Sequence, residues 1–298
     1  MRGQMDPVGI IGVGIMGLVA CCKLIESGRR IVVFDVSPEA EDKARQAGAQ
    51  VAASPAKVAT FCPIVLMFLP GPAQISECVA GQTGLLQAAR PGLIIVDMST
   101  VDPETTQRMA ALAEGKGVGY VDAPVLGRPA RVGRWALPVG GRVEHLERCR
   151  PILEVIAAKI MHIGQSGSGN KIKLLNQMMF SAINAMTAEM MAVAEKVGVP
   201  PKRLYEIMMS GQPATLSNLF VELGKNIAVD SYDQPTFSVD LLCKDLRLAI
   251  EMAKAHGAPP PLAGMIQFLN ETAQAHGLGA QDTSVMWKTL GSLWSRQA

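Results

Sequence analysis

Short, nearly unbroken apolar runs recur through the first half of the chain. They are VGIIG (8–12), RIVVFD (30–35), IVLMFLP (64–70), LIIVDMS (93–99) and GYVDAPV (119–125). Each is strand length and several end in Gly, Pro or a polar residue, so they predict strands buried on both faces. Helix-like stretches separate most of them. In SPEAEDKARQAG (37–48), Ser37 is placed to cap, Pro38 to open the first turn and Gly48 to end the helix. Strands alternating with helices predict a parallel-rich, doubly wound α/β Rossmann sheet. The pattern changes near Gly164. From 170 to 197 there is neither Gly nor Pro, which predicts one helix of about 42 Å. Helical stretches then continue to the end, broken at 211–213, 232–235, 257–261 and 277–279. The expected organisation is a nucleotide-binding domain over 1–164 and an all-helical domain over 165–298.

The first run flows into GVGIMG, which is Gly12-x-Gly14-x-x-Gly17 with Val13, Ile15 and Met16 between. After a strand and before a helix, this spacing has a physical use. The first glycine allows a tight turn, the second lets a diphosphate approach the backbone, and the third lets helix and strand pack closely. Asp35 ends the second strand, where a carboxylate accepts the adenosine ribose hydroxyls and repels a 2′-phosphate. Val36 and Ser37 follow, with no arginine beside them, which favours NAD over NADP.

The long helix opens with GSGNKIKLLNQ (167–177). Lys173, Asn176, Gln177, Phe180 and Asn184 fall on one of its faces. Buried amides and an ammonium need partners, and a small polar substrate would supply them. The alternative is a half-exposed helix whose lysine reaches water. Both readings stand on these residues alone.

Composition narrows the classes. A net charge of +2 with charges scattered argues against nucleic acid or an anionic membrane as partner. Apolar runs are interrupted well short of a membrane span, and residues 1–14 lack the long apolar segment of a signal peptide. Six cysteines with no C-x-x-C pair suggest reduced, buried thiols and no metal site. The cytoplasm is the default address.

Taken together, the motifs resemble those of the β-hydroxyacid dehydrogenase family, which includes 3-hydroxyisobutyrate dehydrogenases, tartronate semialdehyde reductases and sulfolactaldehyde reductases. The likeness runs essentially end to end. It is carried by GIIGVGIMG, DMSTVDPETT (97–106), DAPVLGR (122–128), GSGNKIKLLNQ and KDLRLAIEMA (244–253). It implies hydride transfer between NAD and a small anionic hydroxyacid or semialdehyde, with Lys173 as general acid/base and Asn176 beside it. Leu69, Pro70, Thr100, Phe237 and Lys244 join the glycine loop as implied cofactor contacts. Ser99, Arg128, Asn176, Gln177 and Asp245 are implied on the substrate side. The resemblance also implies a homodimer or homotetramer. It places the catalytic site between the two domains, at the start of the long helix.

The chain departs from the family pattern after Val125. Leu126 and Arg128 replace a serine and a glycine, the following loop is about two residues shorter, and Arg134 and Trp135 stand in place of Thr and Leu. Arg128, Arg131 and Arg134 offer planar forks for a carboxylate or sulfonate. A sulfolactaldehyde-type reductase using Arg128 is therefore an alternative. An imine reductase or a non-catalytic scaffold are others, and the presence of Lys173 speaks against both.

Overall fold

The computed structural model describes residues 6–213 and 216–293. The chain forms two compact units, the first ending at Lys173 and the second beginning at Leu174.

The first unit holds strands β1 (Val8–Ile11), β2 (Ile31–Phe34), β3 (Gln50–Val51), β4 (Ile64–Met67), β5 (Ile94–Asp97), β6 (Gly119–Asp122), β7 (Trp135–Gly141) and β8 (Ala157–Gly164). Between them run α1 (Ile15–Glu26), α2 (Pro38–Gln46), α3 (Pro55–Phe61), α4 (Pro72–Ala80), α5 (Pro103–Glu114) and α6 (Val143–Ile156). The sheet order is β3-β2-β1-β4-β5-β6-β7-β8. Strands β1 to β6 are parallel.

The apolar runs build this sheet because both of its faces are covered. Ile10, Leu66 and Ile94 point into one core, and their neighbours Ile11, Met67 and Ile95 into the other, as the two-residue strand period requires. Ser37 caps α2 by accepting from the Ala40 amide, Pro38 stands in its first turn, and Gly48 beyond it takes φ +103.

Strand β3 at one edge and strands β7 and β8 at the other extend the sheet beyond the five strands expected. β7 runs antiparallel to β6, and β8 parallel to β7. Neither shows a continuous apolar run. Pro138 interrupts β7, and β8 is an edge strand with most positions exposed, so neither needs a continuous apolar run.

Helix α7 (Ser168–Lys196) starts in the first unit and continues in the second, followed by α8 (Pro201–Gly211), α9 (Asn218–Ala228), α10 (Val239–Ala255), α11 (Pro261–Ala275) and α12 (Met286–Leu293). The interruptions between α8 and α12 fall where Gly and Pro cluster. Ser217 and Ser238 cap α9 and α10 through their hydroxyls. Met191, Met286, Phe220 and Val285 fill the helical core. Among the described residues, no helix is long and apolar enough to cross a membrane.

The six cysteines are free thiols, and all but Cys22 are buried. Burial pushes the thiols of Cys21, Cys62, Cys149 and Cys243 up to about 12, so they pack as small apolar groups and not as nucleophiles.

Candidate active site

The carboxyl ends of β2, β1, β4, β5 and β6 lie level, with Phe34, Ile11, Met67, Asp97 and Asp122 in one register row. Every motif singled out in the first unit leaves the sheet from this edge. Strand order reverses between β1 and β4, which makes the crevice above them the expected ligand position for an open α/β sheet.

Gly12, after β1, takes φ +84, and a Cβ there would lie 2.3 Å from the Phe68 carbonyl oxygen. Gly17 is tighter still, since a Cβ would sit 1.9 Å from the Gly12 oxygen. These two glycines let α1 pack against the turn. Gly14 differs: it is exposed, and a Cβ would meet nothing within 4 Å. It caps α1 without a side chain, leaving the first amides and the positive end of the helix open. A diphosphate fits that open backbone, so this loop would hold the dinucleotide's phosphates.

Asp35 lies just past β2. Its Oδ2 accepts from the Val13 amide at 2.7 Å and its Oδ1 from the Ser37 amide at 2.9 Å. A carboxylate has about four acceptor positions, so capacity remains for ribose hydroxyls. Glu41 Oε1 accepts from the Asp35 amide at 3.2 Å. Asp35, Val36, Glu41 and Arg45 line one hollow of about 630 Å³ with Phe34 and Ala52. Sequence reasoning found no arginine next to Asp35. The fold brings Arg45 to this hollow from the last turn of α2, ion-paired with Asp42.

Beneath the edge lies a buried acid network. Asp97 Oδ1 accepts from the Ser99 amide at 3.0 Å, and Oδ2 from the Tyr120 hydroxyl at 2.9 Å. Burial pushes the Asp97 carboxyl up to about 6, against the opposing pull of these hydrogen bonds. The folded protein therefore holds a proton that the unfolded chain releases near pH 4. Stability from this group is complete below pH 4 and declines as pH rises to 6, by about 3 kcal/mol. Asp97→Asn keeps the shape and cannot ionise. Urea melts between pH 4 and 7 should show that the variant lacks this decline; an unchanged profile would exclude Asp97 as its source.

Ser99 is buried, accepting from the Leu69 amide at 2.9 Å and facing the Met67 carbonyl at 3.5 Å. Its hydroxyl thus ties the β4 and β5 ends together. Asp122 anchors the start of α7, accepting from the amides of Gly167 at 2.8 Å and Asn170 at 3.0 Å. Asn170 completes the knot, accepting from the Val101 amide and donating to Thr106 Oγ1, each at 3.2 Å. Burial raises the Asp122 carboxyl, while these amides lower it. Gly169 has no room for a Cβ, which would lie 2.5 Å from the Pro138 carbonyl oxygen.

So anchored, α7 brings Lys173 to the carboxyl edge. Its Nζ donates to the Val125 carbonyl at 2.9 Å, three residues past β6. Immediately beyond, Leu126 and Ala136 pair through two backbone hydrogen bonds and close a loop that carries Arg128. Arg128 is half-buried; Arg131 and Arg134 are exposed. Thr100 and Leu69 are half-buried and Pro70 is exposed, all on neighbouring loops of the same edge.

In the second unit, Gln177 Nε2 donates to Asp245 Oδ2 at 2.6 Å, and exposed Asn176 donates to Gln177 Oε1 at 3.2 Å. Gln177 and Asp245 are buried. Lys244 Nζ stands 2.7 Å from Asp245 Oδ1, an ion pair of neighbouring residues and not a well-directed hydrogen bond. The rings of Phe180 and Phe237 meet edge to face, with centroids 5.3 Å apart.

Glu41 and Asn170 were not legible as site residues, and Asp122 was read only as part of the DAPVLGR stretch that carries the resemblance. A single glutamate on a helix, or an asparagine inside a glycine motif, carries no spacing signal. Only the strand ends that meet them reveal their use.

Comparison with known proteins bears on the arrangement. Residues 7–164 match the NAD binding domain of 6-phosphogluconate dehydrogenase, and residues 167–290 match the NAD-binding domain of NADP-dependent 3-hydroxyisobutyrate dehydrogenase. The chain is 32% identical to the 2-(hydroxymethyl)glutarate dehydrogenase of Eubacterium barkeri, over 94% of this chain and 93% of that one. It is 31% identical to the 3-sulfolactaldehyde reductase of Escherichia coli K12, over 95% of each. The crystal structure of a 3-hydroxyisobutyrate dehydrogenase from Salmonella typhimurium superposes with a TM-score of 0.89 at 26% identity, covering 95% of this chain and 99% of that one.

Proposed function

The chain belongs to the β-hydroxyacid dehydrogenase family, and from that premise we propose an NAD-dependent enzyme that interconverts a small anionic β-hydroxyacid and its semialdehyde, with Lys173 as general acid/base. The observation that carries this reading is the Lys173 amine at the carboxyl edge, hydrogen-bonded to Val125 O, on the same sheet that presents the open Gly14 backbone. The β1 and β6 ends are three strand spacings apart, about 14 Å, a separation suited to phosphates at one end and reacting carbon at the other.

Bound nicotinamide supplies the hydride acceptor or donor. Lys173 takes the hydroxyl proton in oxidation and returns it in reduction. The bond to Val125 fixes the direction in which the amine points. Asn176, one turn further along the same helix, orients the hydroxyacid. Arg128 takes the acid group as a planar fork. Thr100 would hold the nicotinamide ribose, Leu69 and Pro70 the adenosine, and Phe237 and Lys244 would face the cofactor. Ser99 and Gln177 act as positioning groups, because their polar atoms are already engaged, and Asp245 holds Gln177 through Oδ2.

NAD is favoured because a 2′-phosphate in the hollow beside β2 would face two carboxylates, Asp35 and Glu41. Arg45, the one cation among the described residues on that rim, is paired with Asp42. The substrate's anion is less defined. The molecules that name the relatives, 2-(hydroxymethyl)glutarate and 3-sulfolactaldehyde, carry a carboxylate and a sulfonate respectively, either of which Arg128 would take as an anion. A sulfonate is the second reading, favoured by Arg128 standing three residues from the carbonyl that Lys173 holds.

The test is turnover, followed at the nicotinamide absorbance, of 3-hydroxyisobutyrate, glycerate, 2-(hydroxymethyl)glutarate and 2,3-dihydroxypropane-1-sulfonate with NAD⁺ and NADP⁺. We expect at least one to react, with kcat/KM for NAD⁺ about tenfold or more above NADP⁺. Silence with all four would remove the reading, and equal use of both cofactors would remove the choice of NAD.

A further inference from the structure

We infer that Trp135 is the positioning residue that sets Arg128 for the substrate's anionic group, and so decides which hydroxyacid this chain accepts. The inference rests on the reading of Arg128 given above. Trp135 is fully buried at the start of β7, yet its indole N–H reaches back across the loop and donates to the Arg128 carbonyl at 2.9 Å. The same carbonyl accepts from the Arg131 amide, also at 2.9 Å. Both of its lone pairs are thus used, which pins the Arg128 backbone from two directions.

The contact is close as well as polar. A Cβ on Gly127 would fall 2.5 Å from Trp135 Cδ1, so the chain crosses directly over the indole and only glycine fits there. The loop is held at its two ends: Leu126 and Ala136 exchange backbone hydrogen bonds of 2.9 and 3.1 Å, and the Gly133 amide donates to Ile156 at 2.8 Å. The indole also lies against Phe68, with centroids 6.5 Å apart, tying the loop after β4 to the loop after β6. An arginine on a mobile loop loses several rotatable bonds on binding an anion; pinning its backbone removes part of that cost. The structure joins Trp135 and Arg128, seven residues apart, in one hydrogen bond.

The experiment uses the full chain and the hydroxyacid of the panel above with the highest turnover. Trp135→Phe keeps an aromatic ring and removes the N–H. We expect its KM for the hydroxyacid to rise about fivefold, with kcat within twofold and the KM for NAD⁺ unchanged. We expect Arg128→Ala to raise the same KM further, and Trp135→Phe to add less than twofold in that background, since linked residues are not additive. Gly127→Ala, which pushes on the same indole, should reproduce the KM effect and serves where Trp135→Phe folds poorly. An unchanged KM in Arg128→Ala would remove the anion reading and this inference with it. A raised KM in Arg128→Ala with none in Trp135→Phe, or independent effects of the two, would overturn the inference alone. Loss of folded protein in both Trp135→Phe and Gly127→Ala would confine the pair to the core and equally overturn it, and a wild type inert on the whole panel would remove the reading beneath it.

Discussion

Lys173→Ala lowers kcat by about 10²- to 10⁴-fold, the usual contribution of a positioned acid/base, while the dissociation constant for NAD⁺ stays within about twofold. The reasoning is local. The Lys173 side chain ends on the Val125 carbonyl, and the first turn of α7 is held separately by Asp122 and Asn170. Removing the amine therefore leaves the helix start in place. Stopped-flow turnover and fluorescence titration of NAD⁺ measure the two quantities. Retained turnover would take Lys173 out of the chemistry. Loss of both turnover and NAD⁺ binding would mean that the lysine serves the structure of the cofactor site and not the proton transfer.

The second large effect separates two glycines of one motif. Gly14→Ala should leave the melting temperature within about 2 °C, because its Cβ meets nothing in the protein. The same Cβ would stand in the path of the diphosphate, and NAD⁺ affinity should fall by about 100-fold or more, as lost phosphate contacts at a helix start require. Gly17→Ala should do the reverse in order. Its Cβ would lie 1.9 Å from the Gly12 oxygen, so the turn must open, and the fold itself should lose about 1–3 kcal/mol, as overpacking does. Thermal melts paired with NAD⁺ titrations read both. An intact NAD⁺ affinity in Gly14→Ala would mean that no phosphate passes over that residue, and the cofactor assignment would fall.

These two glycines also show how far a motif can be read. The spacing announces a tight turn followed by a helix, but it does not say which glycine is needed by the protein and which by the ligand. That division appears only when Phe68 O and Gly12 O are found against Gly12 and Gly17 while Gly14 faces open space. Asp35 behaves likewise. Its place at a strand end was legible, but not the Val13 amide that orients it, nor Glu41 and Arg45 sharing its hollow.

What the sequence determined by itself was whatever is encoded over short distances. The strand runs, the cap at Ser37, the glycine turn and the long helix free of Gly and Pro each follow from neighbours within a few positions, where periodicity and propensity act. The tertiary structure alone decided what depends on elements distant in sequence. It made Pro138-bearing β7 antiparallel to β6, gave β8 an edge that no apolar run announces, turned Asp122 into the anchor of a helix that begins at Ser168, and set the Trp135 indole under the Arg128 carbonyl. The physical reason is that a buried carboxylate, an indole N–H or a bare glycine is chosen to satisfy whichever backbone the fold brings against it, and that backbone belongs to another part of the chain.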